Sequence, residues 1–159
     1  MKITILCVGR IKEKFFTQAV AEYSKRLSRY CKLEIIEVAD EKTPDRAGEA
    51  LVRQIKDKEG DRLLKALADD AYVIALAIDG KRPDSEQLAG HLEKLGINGI
   101  SHICFIIGGS LGLSDPVLKR ADEHLSFSAM TFPHQLMRVI LLEQIYRSFR
   151  IIQHEPYHK

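Results

Sequence analysis

The sequence has 159 residues, of which 45% are hydrophobic, and its formal net charge is +2 at pH 7. A chain of this length folds as one domain without a stabilising disulfide or metal. It has no apolar run of the roughly 20 residues that a membrane-spanning helix needs, it lacks a signal-peptide pattern, and its three cysteines show no metal-ligand or redox spacing. We therefore expect one cytoplasmic domain, residues 1–159, that binds neither a membrane nor a metal.

The predicted elements alternate along the chain. Short runs rich in Ile and Val predict buried strands at residues 3–8, 33–38, 72–78 and 103–107. Apolar residues at helical spacing predict a helix at 15–30, one or two charged, exposed helices at 44–67 interrupted near Gly60, and a helix at 84–95 that follows Pro83 and ends at Gly96. This alternation predicts an α/β fold, with a mostly parallel sheet and helices on both faces.

Three consecutive strand ends carry glycines or small polar residues. Residues 72–78 run into Asp79-Gly80, residues 103–107 run into Gly-Gly-Ser-Leu-Gly at 108–112, and a short third element at 124–126 runs into residues 127–133. Ligands of parallel sheets bind outside the carboxyl ends of the strands, and glycine lets a ligand approach the backbone closely. The glycines do not fit a dinucleotide fingerprint or a P-loop. A ligand site and a simple tight turn both remain open for residues 108–112.

The last helix is predicted to begin at Thr131 or Phe132, with Pro133 in its first turn. Residues 136–142 are apolar except for Arg138. The apolar surface of this helix is therefore wider than the single stripe of a helix that only covers a sheet. A second copy of the chain across a twofold axis or a neighbouring helix of the same chain would cover the additional face. The tail, residues 151–159, carries two histidines and a tyrosine, which suit either closure over a site or an incidental polar end.

Positive charge is concentrated at both ends of the sequence. Residues 1–32 contain eight lysines and arginines against two glutamates, and residues 132–159 contain four against two. If the ends meet in space, they form a basic face suited to a phosphate backbone. Ordinary solvated helix faces would produce the same pattern.

Residues 106–113, 125–147 and 156–159 together resemble the SPOUT methyltransferases, and the resemblance covers the whole chain. Within this family, the sequence resembles the small bacterial members that methylate N3 of a pseudouridine in 23S ribosomal RNA. The resemblance implies a C-terminal trefoil knot, a homodimer, and S-adenosylmethionine bound in the knot. The cofactor-binding residues that it implies are Leu76, Gly108, Gly109, Phe127, Ser128, Ala129, Met130, Thr131 and Phe132.

For catalysis, the resemblance implies that the tail completes the active site of the opposite subunit. Loss of a proton from N3 calls for a group that titrates near neutrality, which suits histidine. The candidate catalytic residues are His134, Arg138, His154, Tyr157 and His158, and the sequence does not single out one base. His134 could instead serve only the helix start, and Arg138 could only pair with a carboxylate. The expected substrate is ribosomal RNA within an assembled ribosome.

Three alternatives stay open at this stage. A nucleotide-binding regulatory module on the same sheet would bind a cofactor without methyl transfer, but it would have no need of the polar tail. A SPOUT methyltransferase could act on transfer RNA instead. A dimeric scaffold would leave the three ligand-suited strand ends unexplained.

Overall fold

The computed structural model describes all 159 residues as one five-stranded sheet in which every pairing is parallel. The strands, in the order β2-β1-β4-β3-β5 across the sheet, are β1 (Lys2–Val8), β2 (Lys32–Val38), β3 (Tyr72–Lys81), β4 (His102–Ile107) and β5 (Glu123–Leu125). Central strands β1 and β4 are buried on both faces, which is why their sequences are continuous apolar runs. The predicted parallel α/β sheet is confirmed.

Five helices cover the sheet in two layers. They are α1 (Lys14–Leu27), α2 (Glu49–Ala66), α3 (Ser85–Ile97), α4 (Asp115–Arg120) and α5 (His134–Ile152). Helices α1, α3 and α5 pack on one face, where their buried leucines join the side chains of Ile5, Phe105 and Leu125. Helices α2 and α4 pack on the other face around Leu6, Val73 and Ile106. None of the helices combines the length and hydrophobicity needed to cross a membrane.

The structure corrects two predicted helix boundaries. Helix α2 continues through Gly60. The glycine is needed there for close packing rather than for a helix end, since a Cβ would lie 2.2 Å from Oγ of Ser114, the N-cap of α4. Helix α5 begins at His134, and Pro133 is its extended N-cap rather than a residue of its first turn. Residues 131–133 instead belong to the loop between β5 and α5.

The carboxyl ends of β3, β4 and β5 lie side by side at one edge of the sheet. Leu125 pairs with Leu76 and again with Lys81, so the end of β3 wraps around β5. Gly80 makes this possible, because a Cβ at that position would lie 2.7 Å from the backbone of His124 and Leu125. The three strand ends singled out in the sequence therefore meet. The trefoil knot stays a prediction.

Candidate functional site

A pocket of about 580 Å³ opens where the ends of β3, β4 and β5 meet the start of α5. Its volume is in the range of small-molecule sites, and more than half of its lining residues are hydrophobic. All the predicted cofactor residues line the pocket except Ala129, which is exposed. Their contact with a cofactor stays a prediction. The sequence did not indicate Met137, which lines the pocket one turn after His134 on the same helix face.

A glycine turn, residues 108–112, forms one wall of the pocket. Gly109 and Gly112 form an isolated antiparallel bridge, and Gly112 has a φ of +88°. A Cβ at Gly108 would lie 2.9 Å from the carbonyl carbon of Gly112, so the turn can close only without a side chain there. Backbone groups of the turn are thereby exposed to the pocket.

The opposite wall is the loop 126–133, which is held by its own serines. Oγ of Ser126 donates to the carbonyl oxygen of Ser128, and the backbone N–H of Met130 donates to Oγ of Ser128. The backbone N–H of Ser126 donates to the carbonyl oxygen of Lys81, which ties this wall to the end of β3. The loop therefore has a defined shape, although the Met130 side chain at the rim is 74% exposed.

His134, the first residue of α5, lines the pocket beside the end of β1. A Cβ at Gly9, whose φ is +88°, would lie 3.3 Å from Cε1 of His134, so glycine leaves room for the ring. Burial, and then the positive charge of Arg138, lower the pKa of His134 below the ordinary value of a histidine. The ring is therefore neutral at pH 7, and its buried Nδ1 has no hydrogen-bond partner. A neutral imidazole in this position can accept a proton.

Arg138 lies one turn after His134 but does not line the pocket. Its side chain is 1% exposed and forms an ion pair with Glu37 of β2. The guanidinium also donates to the carbonyl oxygens of Gly9, at 2.6 Å, and Val8, at 3.4 Å. Arg138 thus joins α5 to the ends of β1 and β2, next to His134.

None of the three tail candidates lines the pocket of its own chain. The Tyr157 hydroxyl donates to Glu143, and the Arg147 guanidinium donates to Nδ1 of His158. His154 has a φ of +56° and is exposed. Glu143, the partner of Tyr157, follows the pocket residue Met137 by six residues along α5, which is roughly 9 Å at the helical rise per residue. His158 also lies 3.8 Å from Glu86 at the start of α3. The structure therefore does not bring the tail and the pocket together within one subunit.

Sequence reasoning missed a buried carboxyl group behind the glycine turn. Glu59 of α2 is 4% exposed, and its Oε2 accepts from the backbone N–H of Glu41 while Oε1 has no partner. A Cβ at Gly109 would lie 2.9 Å from this Oε1. Burial raises the pKa of Glu59, and the hydrogen bond from Glu41 opposes that shift. Surrounded by charged residues in sequence, Glu59 gave no indication that it is buried.

The family model described as "Predicted SPOUT methyltransferase" matches residues 1–158. The chain is 66% identical over 159 residues to a protein of Bifidobacterium adolescentis named "Ribosomal RNA large subunit methyltransferase H". Proteins of the same name from Bacillus pumilus and Listeria monocytogenes are 58% and 57% identical. Each of these alignments covers 100% of both proteins.

Solved structures with the same fold are much more distant in sequence. A probable methyltransferase from Bordetella pertussis has a TM-score of 0.54 at 14% identity, over 92% of this chain and 95% of that one. A putative methylase family protein from Neisseria gonorrhoeae has a TM-score of 0.52 at 14% identity, over 91% and 81%. These likenesses concern the fold, whereas the family match spans nearly the whole sequence. The chain belongs to the SPOUT methyltransferase family.

Proposed function

We propose that this protein uses S-adenosylmethionine to methylate N3 of a pseudouridine in 23S ribosomal RNA, acting in the cytoplasm on the assembled ribosome. The observation that carries the proposal is the name "Ribosomal RNA large subunit methyltransferase H" of relatives that are 57% to 66% identical over their full length. The choice of base and ring position rests on the resemblance to the small bacterial members of the family. The pocket supplies an independent argument, since a methyl donor needs a site of this size and polarity.

The residues of the pocket fit S-adenosylmethionine in size and chemistry. Adenine is an apolar plate with hydrogen-bonding edges, which suits a cleft between Leu76, Leu125 and Met130 that also offers backbone groups. Gly108 and Gly109 allow the sugar and the methionine part to approach the backbone. Residues 127–132 would hold the cofactor from the opposite side. When bound, the cofactor supplies a methyl group on a positively charged sulfur.

Methylation at N3 requires the proton of that nitrogen to leave, and we assign its acceptance to His134. Its ring lines the pocket and is neutral at pH 7 because burial lowers its pKa. Nδ1 is buried, so the proton would be accepted at Nε2. Arg138 supports this group indirectly, because it holds the carbonyl oxygen of Gly9, the residue against which the ring packs. The remaining requirement is the positioning of the base against the methyl group.

We propose that the active protein is a homodimer in which the tail, residues 151–159, completes the site of the partner. Tyr157 and His158 lie against Glu143 and Arg147 of α5 and do not line their own pocket. In a twofold dimer, the same residues can approach the other pocket. His154, Tyr157 and His158 would then contact the target nucleotide.

The proposal is tested by incubating the protein with labelled S-adenosylmethionine and, separately, free 23S RNA, large subunits, whole ribosomes and transfer RNA. We expect label only in 23S RNA from ribosomal particles, on N3 of a pseudouridine when the nucleosides are identified by mass spectrometry. Label in transfer RNA would support the other substrate class. Cofactor binding without transfer to any RNA would support the regulatory module and contradict the proposal.

A matched pair of glycine substitutions links the activity to the pocket. Gly108→Ala places a Cβ against the backbone of Gly112 and should reduce the rate by at least tenfold. Gly90→Ala lies in α3, where a Cβ meets nothing within 4 Å, so we expect activity within twofold of the unmodified protein. Equal activity of the two variants would contradict the assignment of the pocket.

A further inference from the structure

The segment that follows Gly9, made of the loop between β1 and α1 and the first residue of α1, carries three cations, none of which lines the pocket. The charge of Lys12 is close enough to His134 to lower the pKa of that histidine. Arg10, Lys12 and Lys14 are exposed, and none of them forms an ion pair. We call these three residues the basic arm. The single acidic residue among them, Glu13, leaves a positive balance in this short segment.

The backbone of the basic arm is fixed, although its side chains are free. Oε1 of Gln135 accepts from the backbone N–H of Lys12, at 2.9 Å, and from that of Glu13, at 3.4 Å. The backbone N–H of Ile11 donates to Glu37, the same carboxylate that pairs with Arg138. Side chains of α5 and β2 therefore hold the loop in place, while its positive charges point to solvent without a partner.

Gln135 also sets the location of the basic arm relative to the pocket. It follows His134, which lines the pocket and packs against Gly9 at the start of the same loop. Three unpaired cations are thus anchored beside the opening through which a target base would enter. Holding like charges together brings no stability by itself, so an anionic partner outside the chain is the simplest explanation of the arrangement.

We propose that the basic arm binds the backbone phosphates next to the target nucleotide of an RNA substrate, an inference that rests on the proposed function. A nucleotide whose base enters the pocket brings its own phosphates to the rim. Lysine and arginine near the rim can bind them in any sequence, since phosphate contacts fix position and carry no direct sequence information. The arm would therefore set the register of the RNA on the pocket.

The test compares binding of purified large ribosomal subunits by two triple variants that lose the same charge. One removes the basic arm (Arg10→Ala, Lys12→Ala, Lys14→Ala). The other removes Lys32, Lys65 and Lys94, which are exposed, form no ion pair and lie at or near the opposite, amino-terminal edge of the sheet. Dissociation constants are measured over a series of KCl concentrations, and S-adenosylhomocysteine binding is measured as a check on the pocket.

We expect the basic-arm variant to bind subunits at least tenfold more weakly. The slope of log affinity against log salt should fall by about 2, because each lost phosphate contact contributes roughly 0.7 to 0.9. The control variant should retain most of the affinity, and both should bind S-adenosylhomocysteine normally. Equal losses in the two variants, or normal binding by the basic-arm variant, would overturn the proposal. Weaker binding with an unchanged slope would indicate a contact with a ribosomal protein and would also overturn it.

The anchor is tested with Gln135→Ala, which changes no charge. It should weaken subunit binding severalfold without altering the salt slope by as much as the basic-arm variant does, and unaltered binding would contradict a role for the anchor. Methyl transfer by the unmodified protein is followed on the same subunits and on whole ribosomes. Arm-dependent binding without transfer would contradict the proposed function alone, whereas transfer without arm-dependent binding would contradict the basic arm alone.

Discussion

At the scale of single residues, Glu59 is a buried carboxyl group with one oxygen paired and the other without a partner. Its raised pKa means that folding disfavours the ionised carboxyl. This group therefore destabilises the fold as pH rises from the ordinary pKa of glutamate, about 4.3, through its raised value in the folded protein. Below that window the penalty disappears, because the carboxyl is protonated in both states.

Replacing this carboxyl with an amide should remove the pH-dependent penalty. We expect the stability of Glu59→Gln relative to the unmodified protein to increase as the pH is raised from 4 to 7, measured as the free energy of unfolding in urea. Glu93→Gln, at an exposed position of α3, is the control and should change stability by no more than about 0.5 kcal/mol. A Glu59→Gln difference that stays constant or shrinks as pH rises would contradict the burial argument.

Individual pocket-lining residues were predictable from the sequence where they directly follow a predicted strand. Gly108, Gly109 and residues 127–132 follow strand ends, and parallel strands bring such ends together. Glu59 was not predictable, because it lies within the charged run of α2 and becomes buried only when α2 packs behind the glycine turn. The pairing of Arg138 with a carboxylate was one of the possibilities open from the sequence. Its acceptors at the end of β1 were not predictable, since they lie about 130 residues away in sequence.

At the scale of secondary-structure elements, the buried side chain of Arg138 links the start of α5 to β2 and to the carboxyl end of β1. Arg138 joins α5 to Glu37 of β2 and to two carbonyl oxygens of β1's end. Arg138→Met leaves those oxygens without their donor, and we expect it to destabilise the fold by about 3 kcal/mol in urea unfolding. The same substitution at Arg26, in a surface ion pair with Glu22, should cost less than about 1 kcal/mol. Equal costs would contradict a special role for Arg138.

The elements themselves were predicted well where periodicity was strong and poorly where packing decided. Strands β1, β2, β3 and β4 were evident as apolar runs. The predicted break at Gly60 was wrong, because glycine there serves the close approach of α2 and α4 rather than the end of a helix. The short helix α4 gave no periodic pattern, since six residues are too few to display one.

At the scale of the whole molecule, a tail that acts on the partner makes a specific prediction for mixed dimers. A chain ending at Gln153 lacks the tail, and Gly108→Ala damages the pocket, so each variant alone should be inactive. A dimer containing one of each has one intact pocket facing one intact tail. Random mixing in a co-expressed sample should restore methyl transfer to about a quarter of the unmodified level. Continued inactivity of mixed dimers that form normally would contradict the shared site.

Neither the proposed dimer nor the expected knot could be predicted from the periodicity of the sequence. Periodicity predicts helices and strands, whereas a dimer and a knot depend on how those elements are arranged in space. The apolar surface of α5 allowed a partner copy or a neighbouring helix, and the structure packs α1 and α3 against it within one chain. The proposal of a dimer is therefore supported by a tail that does not line its own pocket rather than by the apolar width of the helix.

The most direct measurement is a crystal structure of the protein with S-adenosylhomocysteine, the product that remains after methyl transfer. We predict the ligand between the glycine turn 108–112 and the loop 126–133, with its adenine beside Leu76 and Leu125 and its sulfur facing the side of His134. Binding at any other site, or the absence of the ligand from this pocket at saturating concentration, would contradict the proposed methyltransferase site.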